Sequence, residues 1–124
     1  MLRPSDNIYG LQASLLKTMA SPRRLELIHF LGESGPTEVR SLAEHFAMTQ
    51  PAVSQHLAAL RTAGLVEAVR DGREVRYQLA DPEIVAACSL MRQVLLRRIG
   101  RLGDIAASYA SQAQAPLVTA DVAG

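Results

Sequence analysis

Apolar residues recur along most of this chain at steps of three and four, which is the spacing of an amphipathic α-helix. The stripe from Ile8 to Met19 predicts a first helix, with Asp6 or Asn7 as its N-cap. Ser21 and Pro22 then suit the cap and the first turn of a second helix. The first third of the chain is therefore expected to hold two helices.

The stretch from Ser41 to Leu79 predicts two further short helices and a hairpin. Ser41 and Glu44 have the spacing of a capping box, which would begin the first of these helices. Thr49 suits the N-cap of the second, and Gly64 suits its C-terminal end. The residues of the second helix expected to face inward are Val53, Leu57 and Leu60.

A hairpin is predicted where Asp71-Gly72 separates two extended runs, because this pair is a two-residue turn signal. The run from Glu74 to Leu79 alternates polar and apolar residues, as a half-buried strand does. Arg70 and Arg73 flank the turn, so we expect a basic hairpin with both arginines at its exposed tip.

A long apolar stripe from Ile84 to Tyr109 predicts a final helix with nearly coiled-coil spacing. The predicted fold class is mainly α with a small β-hairpin wing (α+β), a winged helix-turn-helix in the order α-α-α-α-β-β-α. We expect residues 1–111 to form one domain. Residues 112–124 contain a proline and no helical periodicity, so they are predicted to be a flexible tail.

The composition of the 124 residues fits a packed aliphatic core, with 48% hydrophobic, 20% charged and 4% aromatic residues. The formal net charge is only +1, so the whole chain is not a polycation. Any binding to DNA would therefore depend on where the arginines lie and not on their total number. One cysteine excludes an intramolecular disulfide framework. No apolar run resembles a signal peptide or a membrane span, which predicts a cytoplasmic protein without a membrane partner.

Short polar side chains and one cation occupy the flanks and the outer face of the second motif helix. Such side chains suit base edges and phosphates in the major groove of DNA. The hairpin arginines would contact the flanking backbone or the minor groove. The predicted DNA-binding residues are Thr49, Gln50, Ser54, Gln55, His56, Arg61, Arg70, Arg73 and Arg76.

The runs TQPAVSQHLAALRTAGLV and RDGREVRYQL, in this order, resemble the ArsR/SmtB family of small dimeric repressors. The resemblance covers roughly Leu16 to Val85. It implies a winged helix fold, a homodimer and double-stranded operator DNA as the partner. His56 has two interpretations, because its helical position favours half-buried packing while the family pattern places a histidine in this region.

Dimerisation is also expected because the first and last helices carry more apolar surface than one winged helix can bury. A two-fold dimer would satisfy both helices. It would also set two recognition helices about one DNA turn apart, roughly 34 Å, to match a palindromic operator. The predicted interface residues are Ile8, Leu11, Leu15, Ile84, Cys88, Met91, Leu95, Ile99 and Leu102.

Metal sensing is suggested by the resemblance and can be checked against the residues. Family members that sense thiophilic metals carry C-x-C before the first motif helix, where this chain has Glu38-Val39-Arg40. Members that sense zinc on the last helix use aspartate and histidine, but no histidine follows Asp81. We therefore expect no metal and no cofactor, and the inducer is not identified. Cys88 is expected to be an inert packing residue, with a redox role between subunits as the lesser alternative.

The leading hypothesis is thus a homodimeric transcriptional repressor released from its operator by a signal. The alternative is a winged-helix module that binds protein and not DNA. An enzyme is not expected, because the sequence offers no paired carboxylates, no glycine-rich phosphate loop and no nucleophile beside a base.

Overall fold

The computed structural model describes residues 7–101 and 103, and these divide into two compact units at the boundary between Asp81 and Pro82. The elements of the first unit are α1 (Ile8–Met19), α2 (Pro22–Ser34), β1 (Thr37–Glu38), α3 (Val39–Phe46), α4 (Gln50–Thr62), β2 (Val66–Asp71) and β3 (Glu74–Leu79). The second unit contains α5 (Glu83–Gly100). The mainly helical fold with a small hairpin wing is confirmed.

Side-chain caps begin three of the helices where the sequence predicts them. The Asn7 carboxamide oxygen accepts from the Gly10 N–H at 2.8 Å at the start of α1. Ser21 caps α2, and the Thr49 hydroxyl oxygen accepts from the Ala52 N–H at 3.2 Å at the start of α4. Each cap satisfies a first-turn N–H that has no partner within the helix, and typically contributes about 1 kcal/mol to stability.

The core of the first unit lies between α2, α3, α4 and the base of the hairpin. Val53, Leu57 and Leu60 of α4 are at most 1% exposed, which confirms the inward face predicted for this helix. Burial of a large aliphatic side chain stabilises by about 1.5–3 kcal/mol, so these three residues fix the rotation of α4 about its axis. Other large apolar side chains buried in the first unit include Leu27, Ile28, Leu31, Leu42, Phe46, Leu65, Val66 and Leu79.

Gly64 ends α4 as predicted. Its φ of +79° lies in the left-handed region, and its N–H donates to the Arg61 carbonyl at 2.9 Å. The N–H of Leu65 donates to the Leu60 carbonyl at 2.9 Å, which completes a Schellman motif. The chain then turns directly into β2, so the C-terminal cap of α4 also sets the start of the hairpin.

The sheet has three antiparallel strands in the order β1-β3-β2, and the predicted element order lacked β1. This strand has two residues, with Thr37 opposite Tyr77 and Glu38 opposite Arg76. The predicted capping box is also wrong, because α3 begins at Val39 and Ser41 lies inside it. The strand leads straight into the helix, so the helix starts two residues before the local serine signal.

The hairpin turn lies one residue later than predicted. Asp71 pairs with Glu74 as the last strand pair, so the two loop residues are Gly72 and Arg73. Gly72 has a φ of +64°, as the first central residue of a II′ turn requires, and Arg73 is not among the residues with positive φ. Arg73 is therefore in the turn itself. Exposure along β3 alternates as predicted from Glu74 to Tyr77, but Gln78, expected on the outer face, is half-buried.

The second unit exposes most of its one described helix, α5. No residue of α5 is buried, and no side chain caps its N-terminus. The predicted single domain over residues 1–111 reaches beyond the described residues and stays a prediction, and the predicted flexible tail, 112–124, lies wholly outside them. Within residues 7–101 and 103, none of the helices combines the length and apolar character needed to traverse a lipid bilayer.

Candidate nucleic-acid interface

The exposed side of α4 carries the predicted base-reading residues. Gln50, Ser54 and Gln55 are exposed, and Arg61 is exposed in the last turn. The buried face fixes this presentation, because its three aliphatic residues hold the helix against the core. Thr49 is exposed too, although its hydroxyl oxygen already accepts the capping hydrogen bond.

The electrostatics of α4 favour an anion at its N-terminus. Its first turn contains no acidic residue, so no carboxylate offsets the positive end of the helix dipole. Pro51 lies in this turn, where its missing N–H has no helical partner to lose. A phosphate or an electronegative base edge would meet favourable partial charges there.

The wing presents arginines, but it is not basic overall. Its cations are Arg70, Arg73 and Arg76, and its carboxylates are Glu67, Asp71 and Glu74. These charges cancel, so the predicted basic hairpin is wrong in net charge. Any attraction for DNA must come from the exposed positions of individual arginines.

Arg70 and Arg73 are exposed at the end of the wing, on β2 and in the turn respectively. Arg76 differs, because its guanidinium donates to a Glu74 carboxylate oxygen at 2.9 Å with both side chains about half exposed. Exposed ion pairs of this kind typically contribute less than about 1 kcal/mol, so a phosphate can replace the carboxylate.

His56 is half-buried on α4, and its Nδ1 accepts a hydrogen bond from Nε of Arg24 at 3.2 Å. Burial, and then the charges of Arg24 and Arg23, lower the pKa of His56 below its ordinary value of 6.5. The packing role that its helical position suggests is thus present. Contact between His56 and DNA stays a prediction.

Comparison with known proteins places this geometry in a family. Residues 21–68 match the model described as bacterial regulatory protein, arsR family. An uncharacterized HTH-type transcriptional regulator of Mycobacterium tuberculosis, Rv0081, is 34% identical over 107 residues, covering 83% of this chain and 94% of that protein. The chain belongs to the ArsR family. It is a member of a family of transcriptional regulators, and its fold is a winged helix-turn-helix.

Two solved structures support the assignment to the ArsR family. The crystal structure of Rv0081 has a TM-score of 0.70 and 33% identity, covering 77% of this chain and 96% of that one. The solution structure of a homodimeric winged helix-turn-helix DNA-binding domain from Mycobacterium bovis has a TM-score of 0.70 and 26% identity, covering 82% and 93%. The ArsR resemblance read from the two sequence motifs is confirmed.

The predicted interface residues of this ArsR-family chain have different exposures. On α1, Ile8 and Leu11 are 69% and 56% exposed, whereas Leu15 is half-buried. On α5, the exposed members are Met91 and Leu95. The half-buried members of α5 are Ile84, Cys88 and Ile99, and Leu102 lies outside the described residues.

Four exposed residues extend these apolar surfaces and were not predicted. Tyr9 and Leu16 lie on α1, and Leu90 and Val94 lie on α5. Leu90 and Val94 stand one position before Met91 and Leu95, so an apolar pair with i,i+4 spacing was visible in the sequence. The exposed apolar surface of α5 is therefore wider than the predicted seam.

Arg40 is a further cation, and it was not among the predicted DNA-binding residues. It is exposed on α3, the first helix of the motif, which in helix-turn-helix proteins crosses the DNA backbone. Its position in that helix was the available signal.

As for metals, the described part of the chain contains no group of three or more His, Cys, Asp or Glu side chains that could hold an ion.

Proposed function

We propose that this chain is a homodimeric transcriptional repressor that binds a palindromic DNA operator with α4 in the major groove. The observation that carries the proposal is the face of α4, where Gln50, Ser54 and Gln55 are exposed opposite three fully buried aliphatic residues. Amide and hydroxyl groups are the donors and acceptors that read base edges. Because burial fixes the helix rotation, these groups are preorganised.

The wing and α3 would position the protein on the sugar-phosphate backbone. Arg70 and Arg73 would contact phosphates beside the site read by α4, and Arg40 would contact the backbone that α3 crosses. Arg76 would exchange its Glu74 partner for a phosphate. These contacts would hold the protein in register without reading sequence.

The exposed apolar residues of α1 and α5 support the homodimer. Ile8 and Tyr9 on α1, and Leu90 and Met91 on α5, are each more than half exposed. On each of these helices, large apolar side chains lie exposed close together, and such exposed apolar patches mark an interaction surface. The structurally similar domain from Mycobacterium bovis is described as homodimeric. A two-fold dimer would present two copies of α4 to the two halves of a palindrome.

Repression follows if the bound dimer occupies a promoter, and a relative of this chain carries that function in its name. The repressor SmtB of Mycobacterium tuberculosis is 41% identical over 78 residues, covering 63% of this chain and 57% of that protein. A regulator of this kind must reach the chromosome, so we place it in the cytoplasm. The same proposal implies that the protein is a DNA-binding regulator and not an enzyme.

The test is binding of the full chain to the duplex that precedes its own gene, with a scrambled duplex as reference. We expect specific binding that weakens as salt rises. Gln55→Glu should abolish it, because a carboxylate on the outer face of α4 would repel phosphates. Gln93→Glu makes the same change on an exposed position of α5 and should bind as wild type does.

Equal binding to both duplexes, or full binding by Gln55→Glu, would exclude α4 as the reading helix. A wild-type protein that binds neither duplex at low salt would favour the winged-helix module that recognises protein.

A further inference from the structure

Arg24 connects three helices of the first unit through one side chain. Its Nη1 donates to the carbonyl oxygen of Thr18 at 2.9 Å, in the last turn of α1. Its Nε donates to Nδ1 of His56 at 3.2 Å, in the middle of α4 and 32 residues away in sequence. Arg24 itself lies in the first turn of α2. We call this pair of hydrogen bonds the Arg24 link.

The Arg24 link requires a neutral His56. Nδ1 can accept from Arg24 only while it carries no proton, so the neutral ring holds its proton on Nε2. In a protonated ring, the Nδ1–H would face the Nε–H of Arg24, and the charge of the imidazolium would repel the charge of the guanidinium. The charged groups that act on the ring from α2 are Arg24 and Arg23, and the carboxylate of Glu26 on that helix pairs with Arg23 at 3.5 Å.

The protonation state also affects folding. Burial and the two arginines lower the pKa of His56 in the folded chain below 6.5, so the unfolded chain binds the proton more readily. The stability that neutral His56 contributes is complete above about pH 6.5. It is lost as the pH falls from there through the lowered pKa.

We propose that Arg24 is a positioning residue that holds α4 in its DNA-reading position through neutral His56, and that protonation of His56 breaks this link and weakens DNA binding. The inference rests on the proposed function, since it assumes that α4 reads DNA. The proposal predicts that operator affinity decreases as the pH falls. An added positive charge beside phosphates would by itself strengthen binding, whereas loss of the Arg24 link weakens it.

The first measurement is an NMR titration of the histidine side chains in the free full-length protein. His56→Asn identifies the His56 signal among the three histidines. We expect a His56 pKa below 6.5 in the wild type and a rise toward 6.5 in Arg24→Met, because one cation and the hydrogen bond to the neutral ring are lost. Lys17→Met removes an exposed cation one residue from Thr18 and should leave the His56 pKa unchanged.

The second measurement is DNA affinity at constant ionic strength, at pH 8 and at a pH below the His56 pKa that the titration gives, with the duplex that precedes the gene. We expect the wild type to bind about tenfold more weakly once His56 is protonated, the scale set by one lost hydrogen bond to a charged group. Arg24→Met should be weak at both pH values, and Lys17→Met should keep the wild-type ratio. Circular dichroism at both pH values verifies that each variant is folded.

His56→Asn keeps the inference testable if Arg24→Met does not fold. The Asn carboxamide oxygen can accept from Arg24 and does not titrate between pH 5 and pH 8. Whatever its affinity at pH 8, this variant should lack the weakening at low pH that the wild type shows, although it keeps His29 and His45. A variant that retains the wild-type pH ratio would overturn the role of His56.

The inference fails if the wild type binds DNA equally or more tightly once His56 is protonated, or if Arg24→Met leaves the His56 pKa unchanged. Failure of the proposed function looks different. In that case the protein binds DNA at no pH, while the NMR titration still shows a His56 pKa that depends on Arg24.

Discussion

The wing allows a quantitative test of the proposed contacts between this protein and DNA phosphates. Arg70 and Arg73 are exposed at its end, and within the described residues no hydrogen bond or ion pair engages either side chain. Their guanidinium groups are therefore available for phosphates. The double variant Arg70→Ala/Arg73→Ala should fold normally, because neither side chain lies in the core.

The magnitude follows from counterion release. Each phosphate contact contributes about 0.9 to the slope of log affinity against log salt concentration, so loss of two contacts from each protomer of the proposed dimer should reduce the slope by about 3.6. Between 50 and 200 mM salt, a fourfold change, the fold loss of affinity in the variant should be about 150 times smaller than in the wild type. Its affinity should fall alike for operator and scrambled DNA, since phosphates carry no sequence information.

The assay is fluorescence anisotropy with labelled duplex over that salt range, with a control matched in charge. Arg97→Ala/Arg98→Ala removes two exposed cations from the last turn of α5. It changes the net charge by the same amount but should leave the slope unaltered. An unchanged slope in the wing variant, or an equal reduction in both double variants, would refute the assignment of phosphate contacts to the wing.

Three further predictions test base reading, the end of α4 and the dimer. Ser54→Ala or Gln55→Ala should lower operator preference by about 1–3 kcal/mol and affect scrambled DNA less, and equal losses in a competition assay would contradict base reading. Gly64→Ala should destabilise the fold by about 1–2 kcal/mol in urea unfolding because its φ is +79°, and unchanged stability would be inconsistent with the Schellman cap. Leu95→Arg should give a folded monomer in sedimentation, since Leu95 is 47% exposed, whereas Gln93→Arg should stay dimeric; a dimeric Leu95→Arg would argue against an α5 interface.

The sequence by itself determined the features that depend on neighbouring residues. Asn7, Ser21 and Thr49 begin helices because each cap bonds an N–H three residues later. Gly64 ends α4 because glycine alone enters the left-handed region without a steric cost. The two motifs in their order also predicted the family correctly.

Tertiary structure decided the features that depend on residues far apart in the chain. Thr37 and Glu38 form a strand only because Tyr77 and Arg76 pair with them, and that strand displaces the start of α3 from the local serine signal. The strand register placed Arg73 in the turn. Arg24 and His56 are 32 residues apart, and neither one's local pattern predicts the bond between them. Periodicity assigns a residue to a face of its own helix, but only packing brings two such faces together. Packing thereby places Arg24 beside His56, where the hydrogen bond between them requires a neutral imidazole.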